Sequence, residues 1–183
     1  MKKIIVTVLG WDRPGIVAAV ARTLYDFGCN IEDISQTILQ TEFAAIFIAA
    51  MPDETKREEL RAGLEDRLHP MGLEVHLKDL RAVEAETPLE AEPFVITTIG
   101  PDRQGLVSGV TELLAEFKIN IAQLKAAFRG GDDPYRNIMI YEIDIPSAVD
   151  RQAFRDGLYQ RGRELGIEVS LQHRDIFEQI YRI

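Results

Sequence analysis

Cysteine occurs once in this sequence, at Cys29, tryptophan once and histidine three times. A lone cysteine has no partner for an internal disulfide and builds no multi-cysteine metal site. A reducing cytoplasm is the simple home for such a chain. His69, His76 and His173 are scattered without metal-ligand spacing, and no cofactor is implied. Basic charge is also short: 21 Lys and Arg stand against 30 Asp and Glu, a net charge of −9. Nucleic-acid binders draw affinity from a basic patch that neutralises phosphates, so direct DNA or RNA binding is not expected. No apolar run approaches the ~18 residues of a membrane span. The run Ile4 to Leu9 lacks a small-residue cleavage site and reads as a strand, not a signal peptide.

What the chain does have is an internal repeat. Thr7-Val-Leu-Gly-Trp-Asp-Arg-Pro-Gly-Ile-Val17 matches Thr97-Thr-Ile-Gly-Pro-Asp-Arg-Gln-Gly-Leu-Val107, an offset of 90. Past residue 42 the offset becomes 94, with Gly72-Leu-Glu-Val-His-Leu77 on Gly166-Ile-Glu-Val-Ser-Leu171. The extra residues fall near Gly130-Gly-Asp-Asp-Pro134, a turn signal where a structural unit tolerates insertion. Residues 1–82 form the first expected domain and 94–175 the second. The acidic, proline-containing stretch 83–93 reads as a linker. The apolar-rich tail 176–183 is expected to dock on something.

Within each copy the periodicities follow one order. Residues 3–9 and 94–99 are β-rich. Ile16, Val20 and Leu24 have helical spacing, as do Leu106, Val110 and Leu114. Residues 31–40 with 42–50, and 121–129 with 137–145, read as hairpins. Leu60, Leu64 and Leu68 share one helix face; Phe154, Leu158 and Leu165 do the same job later. Residues 73–80 and 167–174 close each unit. The expected fold class is α+β: two tandem ferredoxin-like βαββαβ units, each an antiparallel four-stranded sheet with both helices on one face.

The two most similar stretches, Gly10 to Gly15 and Gly100 to Gly105, lie between first strand and first helix. A glycine there permits positive φ and close approach of a ligand to the backbone. The following helix offers unpaired N–H groups that suit a carboxylate. Asp12 and Asp102 are candidates to cap the turn. Arg13 and Arg103 either pair with a carboxylate or stay solvated. Ordinary capping at a strand-to-helix junction explains the same residues without a ligand.

The run Leu9-Gly-Trp-Asp-Arg-Pro-Gly-Ile-Val17, a helix, and then Gly28-Cys-Asn-Ile31 resembles the signature of the ACT-domain family. The second copy repeats it with one departure, Gln104 for the proline. The resemblance covers the chain apart from linker and tail. Two ACT units without a catalytic domain are similar to stand-alone regulators of the glycine cleavage system repressor type. A smaller resemblance is to the regulatory half of formyltetrahydrofolate deformylase, whose catalytic half is absent here.

The resemblance implies a regulatory protein and not an enzyme, with an amino acid held where paired domains meet. Carried over by motif, the ligand-binding candidates are Asp12, Arg13, Pro14, Gly15, Asn30 and Ile31. Their second-copy counterparts are Asp102, Arg103, Gln104, Gly105, Asn120 and Ile121. It also implies a protein partner, such as a transcription factor or metabolic enzyme, and a homodimer. Asn30 and Asn120 offer donor and acceptor to an amino acid's backbone groups; alternatively they end a helix-to-strand turn in left-handed conformation.

Trp11 has Pro101 as its counterpart, and packing on the neighbouring repeat is expected ahead of covering a ligand. Cys29 reads as a small buried hydrophobe. Asp53-Glu54 and Glu58-Glu59 read as the start of a helix. Phe43 to Ala50 is apolar on both faces, so the first sheet is expected to hide its outer face under the linker, the tail, the other repeat or a partner. Two other functions share the topology. An acylphosphatase-like hydrolase would use Arg13 and Asn30, but the loop lacks a glycine-rich phosphate cradle. An RNA-binding module would need paired aromatics, whereas Phe47 and Tyr141 stand alone.

Overall fold

Alternation along the strands decides which face is covered. The computed structural model describes residues 1–80, 90–128 and 137–181, with the side chains of residues 127, 128 and 179–181 excepted. In β1 (Lys2–Trp11), Ile4, Val6 and Val8 are fully buried and point to one side. In β3 (Glu42–Met51), Phe43, Ala45, Phe47 and Ala49 do the same. Helices α1 (Ile16–Asp26) and α2 (Arg57–Leu68) cover that side with Ile16, Val20, Leu24, Leu60, Leu64 and Leu68. With β2 (Asn30–Leu39) and β4 (Leu73–Asp79) the sheet runs β2-β3-β1-β4, antiparallel throughout.

The second unit repeats this. Its elements are β5 (Ala91–Gly100), α3 (Leu106–Glu116), β6 (Asn120–Phe128), β7 (Asn137–Pro146), α4 (Arg151–Leu165) and β8 (Glu168–His173). The sheet order is β6-β7-β5-β8. A register shift falls at Ile31/Asp33 in one hairpin and at Ile121/Gln123 in the other, so the duplication extends to a bulge. Both units are the ferredoxin-like α+β repeats expected from the sequence.

Several boundaries move. The expected linker 83–93 ends early, because β5 begins at Ala91 and Pro93 pairs opposite Asp144. β8 joins β5 only from Phe94, and a proline is tolerated where one flank is unpaired. Residues 83–89 and the insertion at 130–134 lie outside the described residues. Helix α2 begins at Arg57, so Glu58 and Glu59 sit in its first turn while Asp53 and Glu54 precede it. In α4 the third core position is Gly162, with Leu165 only half-buried. A Cβ on Gly162 would stand 2.6 Å from Val169 Cγ2, which leaves no room for a leucine such as Leu68 in the first copy.

The expected tail is a helix that starts earlier, α5 (Arg174–Tyr181), and it packs against β5 and β8 of its own unit. Val95, on the sheet face opposite the helices, is 1% exposed, and Arg174 reaches Asp144 at 3.4 Å. The first sheet keeps its corresponding face more open. Leu9, Trp11 and Ile46 are exposed.

One buried group carries a pH dependence. Tyr141 fills the place of Phe47 and is fully buried, its hydroxyl 3.4 Å from Met139 Sδ. Burial pushes its ionisation from 10.0 up to about 12, because the phenolate would lose its water. Folding therefore favours the neutral form, with the full contribution below pH ~10 and its loss as pH rises through ~12. The melting temperature of the wild type should fall over that window more steeply than that of Tyr141→Phe, compared by calorimetry at stepped pH.

Candidate functional site

Each strand-to-helix loop turns on one left-handed residue. Gly15 has φ 97° and Gly105 φ 88°, and each is the cap residue of its helix. Among the described residues no side chain caps α1 or α3. Asp12 and Asp102 therefore do not cap these helices, contrary to one sequence reading. Helix starts without a side-chain cap leave amide N–H groups and the positive dipole end available. A Cβ placed on Gly15 would meet nothing within 4 Å, so the first loop is open above the bend. On Gly105 the nearest atom would be Ser108 Oγ at 3.9 Å.

The two arginines of the motif have different duties. Arg103 donates from Nη2 to the carbonyl of Leu165, at the C-terminal end of α4. That is a capping role, favourable for a cation at the negative end of a helix. Arg13 lies toward the corresponding Gly72 turn, yet makes no hydrogen bond or ion pair among the described residues.

Beneath the second loop the sheet carries polar groups that sequence reasoning missed. Asn137 is 5% exposed and its Nδ2 donates to Asp102 Oδ1 at 3.5 Å. Asn137 Oδ1 and Thr98 Oγ1 are buried without a partner among the described residues. Their first-copy counterparts are Phe43 and Val8, so the repeat alignment held the signal.

Asn30 and Asn120 open β2 and β6, both exposed, followed by half-buried Ile31 and Ile121. Neither asparagine is left-handed. The left-handed turn residues are Gly28 (φ 71°) and its counterpart Lys118 (φ 55°). Asn30 aligns across Ala50 with Lys3, at the start of β1, whereas the loop follows its end. At ~3.3 Å per residue, Lys3 and the strand end at Trp11 are separated by about 26 Å along the strand. Asn120, aligned across Asp144 with Pro93, is displaced likewise from the 102–105 loop. Within one unit the loop residues come together and the asparagines do not join them. For the same reason Arg13 and Asn30, the pair of the hydrolase reading, do not meet in one unit.

An ACT-domain family profile matches residues 2–78 and 92–132. The chain belongs to the ACT-domain family. Among relatives, a UPF0237 protein of Methanocaldococcus jannaschii is 38% identical over 90 residues, 49% of this chain and 96% of the relative. One from Methanosarcina acetivorans is 34% identical over 90 residues, 49% of this chain and 95% of the relative. Two solved structures share the ACT fold over most of the chain. An unknown protein from Galdieria sulphuraria has TM-score 0.74 at 22% identity, covering 94% of this chain and 98% of that one. A proposed glycine cleavage system transcriptional repressor has TM-score 0.69 at 20% identity, covering 93% and 96%.

The ACT loops predict a contrast between equivalent arginines. Arg103→Ala removes a charge-assisted bond to a helix end and should destabilise the second unit by about 1 kcal/mol. Arg13→Ala should change stability by less than about 0.5 kcal/mol. Urea unfolding of both variants checks the difference.

Proposed function

We propose that this chain is an amino-acid-sensing regulatory protein that acts through a protein partner in the control of amino-acid metabolism. The observation that carries the reading is the open, left-handed glycine bend at the start of α1, which among the described residues has no side-chain cap and has near it Arg13 without an ion-pair partner. Backbone amides and a guanidinium together complement a carboxylate. The proposed ligand-binding set is Asp12, Arg13, Pro14 and Gly15, with Asp102, Arg103, Gln104 and Gly105 in the second loop. Asn30-Ile31 and Asn120-Ile121 contribute where a second ACT unit is brought against a loop, which a homodimer supplies.

The loops differ in chemistry. The first offers a free cation. The second offers Asp102 backed by Asn137, while Arg103 is spent on Leu165. The first therefore suits the carboxylate of an amino acid best. A ligand that binds one conformation more tightly shifts the population toward it, and a partner reads that shift. The net charge of −9 favours a basic surface on the partner, such as a transcription factor or metabolic enzyme.

A thermal-shift screen of the amino acids tests this. A ligand at 100 times its Kd should stabilise the folded form by about 2.7 kcal/mol. Gly15→Val and Gly105→Val, judged folded by circular dichroism, should each lose response to a ligand bound at the altered loop. A normal response in both variants, or no amino acid that shifts the wild type, overturns the reading.

A further inference from the structure

The end of the second unit remote from its loop holds a cavity of about 230 Å³ under the start of α4. Phe94, Phe154 and Leu171 give it an apolar wall, and Arg151, Gln152 and Arg155 a polar one. The same position in the first unit shows what has changed. There Arg57 pairs with Glu58 and Asp79, and Arg61 with Glu65. At the offset of 94 these three acids become Gln152, His173 and Tyr159, while both arginines are kept.

The consequence is that Arg155 lacks the carboxylate that its counterpart Arg61 has in Glu65. Arg151 still has one partner, Glu92, and its guanidinium lies 5.9 Å over the Phe94 ring. Arg155 has no hydrogen bond or ion pair among the described residues. The other charges nearby are committed. Asp150 accepts from the amides of Gln152 and Ala153, Asp156 takes the Gln152 side chain, and His173 stacks edge-on against Phe94 beside Asp175. At the same offset Asp150 replaces Lys56 and Asp156 replaces Ala62, but these new acids are held by the first amides of α4 and by Gln152, and Arg155 is left without a partner among the described residues.

We propose that this cavity binds a small organic carboxylate with an apolar body, its carboxylate on Arg155 and its hydrocarbon against Phe94, Phe154 and Leu171. The guanidinium supplies a planar fork for two carboxylate oxygens. The cavity volume admits a molecule of amino-acid or aryl-acid size. The site is separate from the loop, which lies beyond the other end of β5, and it does not depend on what the loop binds.

Phenylacetate is the probe, followed by ¹H–¹⁵N NMR on the full chain. It should move the amides of Phe94 and of residues 152–156, with 2-phenylethanol and acetate both binding far more weakly. Arg155→Ala, an exposed helix position that alanine suits, should weaken phenylacetate about tenfold. Arg61→Ala, at the first-unit counterpart, should leave it unchanged. The proposal fails if phenylacetate leaves those amides in place, moves only the loop amides at 102–105, or binds Arg155→Ala as it binds the wild type. Equal binding of 2-phenylethanol also overturns it, because the carboxylate would then be irrelevant.

Discussion

A single left-handed residue between strand and helix organises both halves of this protein. Gly15 and Gly105 reverse the chain after β1 and β5, and the helix starts directly on them, its first carbonyl bond running from Ala19 to Gly15 and from Gly109 to Gly105. A residue with a Cβ resists that conformation. Because glycine itself occupies the cap position, no side chain is there to satisfy the first amides. The bend that makes the turn possible thus also leaves the helix start without a side-chain cap. The helix that follows carries Ile16 or Leu106 into the core, so the geometry of the bend is fixed from below by packing.

The two copies show which parts of the unit are under physical constraint. Inward positions change volume but stay apolar: Phe47 becomes Tyr141 and Leu60 becomes Phe154. Where an inward position did turn polar, at Thr98 and Asn137, oxygens are left without partners among the described residues, at a cost that a purely apolar core avoids. Surface ion pairs contribute little each, so they are free to change. That freedom is visible around α2 and α4, where the arginines persist and the acids do not. Arg67 and Arg161 keep the acid as well, Asp26 in one copy and its counterpart Glu116 in the other, and Arg161 adds Glu112, Glu164 and the carbonyl of Gly109. The charged layer has been rewired over a common core.

Most of the fold was legible because it rests on periodicity that repeats. Ile16, Val20 and Leu24 recur as Leu106, Val110 and Leu114, and all are buried. The loop was legible for the same reason, since a duplicated Asp-Arg-x-Gly is hard to place anywhere but a turn. What periodicity does not encode is direction and pairing. Nothing in the spacing says that Arg103 would bond a carbonyl at Leu165 while Arg13 would not find one at Met71. Nor does it reveal that Asn30 opens a strand at the far end from the loop, since that follows from strand order β2-β3-β1-β4 and not from local residues. The tail was read as apolar, but that its helix would lie over Val95 depends on the face left open by the sheet.

That geometry bears on why the unit is duplicated. β1 and β2 both run antiparallel to β3, so the loop after β1 and the start of β2 sit at opposite ends of one sheet, about 26 Å apart. A ligand of amino-acid size cannot span that distance. The two features therefore cannot meet one such ligand within a single unit. The outer faces reinforce the point. The second unit closes its own with α5, whereas the first leaves Leu9, Trp11 and Ile46 in solvent. Both units keep apolar surface on the strand that leads into the bend, more of it at Leu9 and Trp11 than at Ile99.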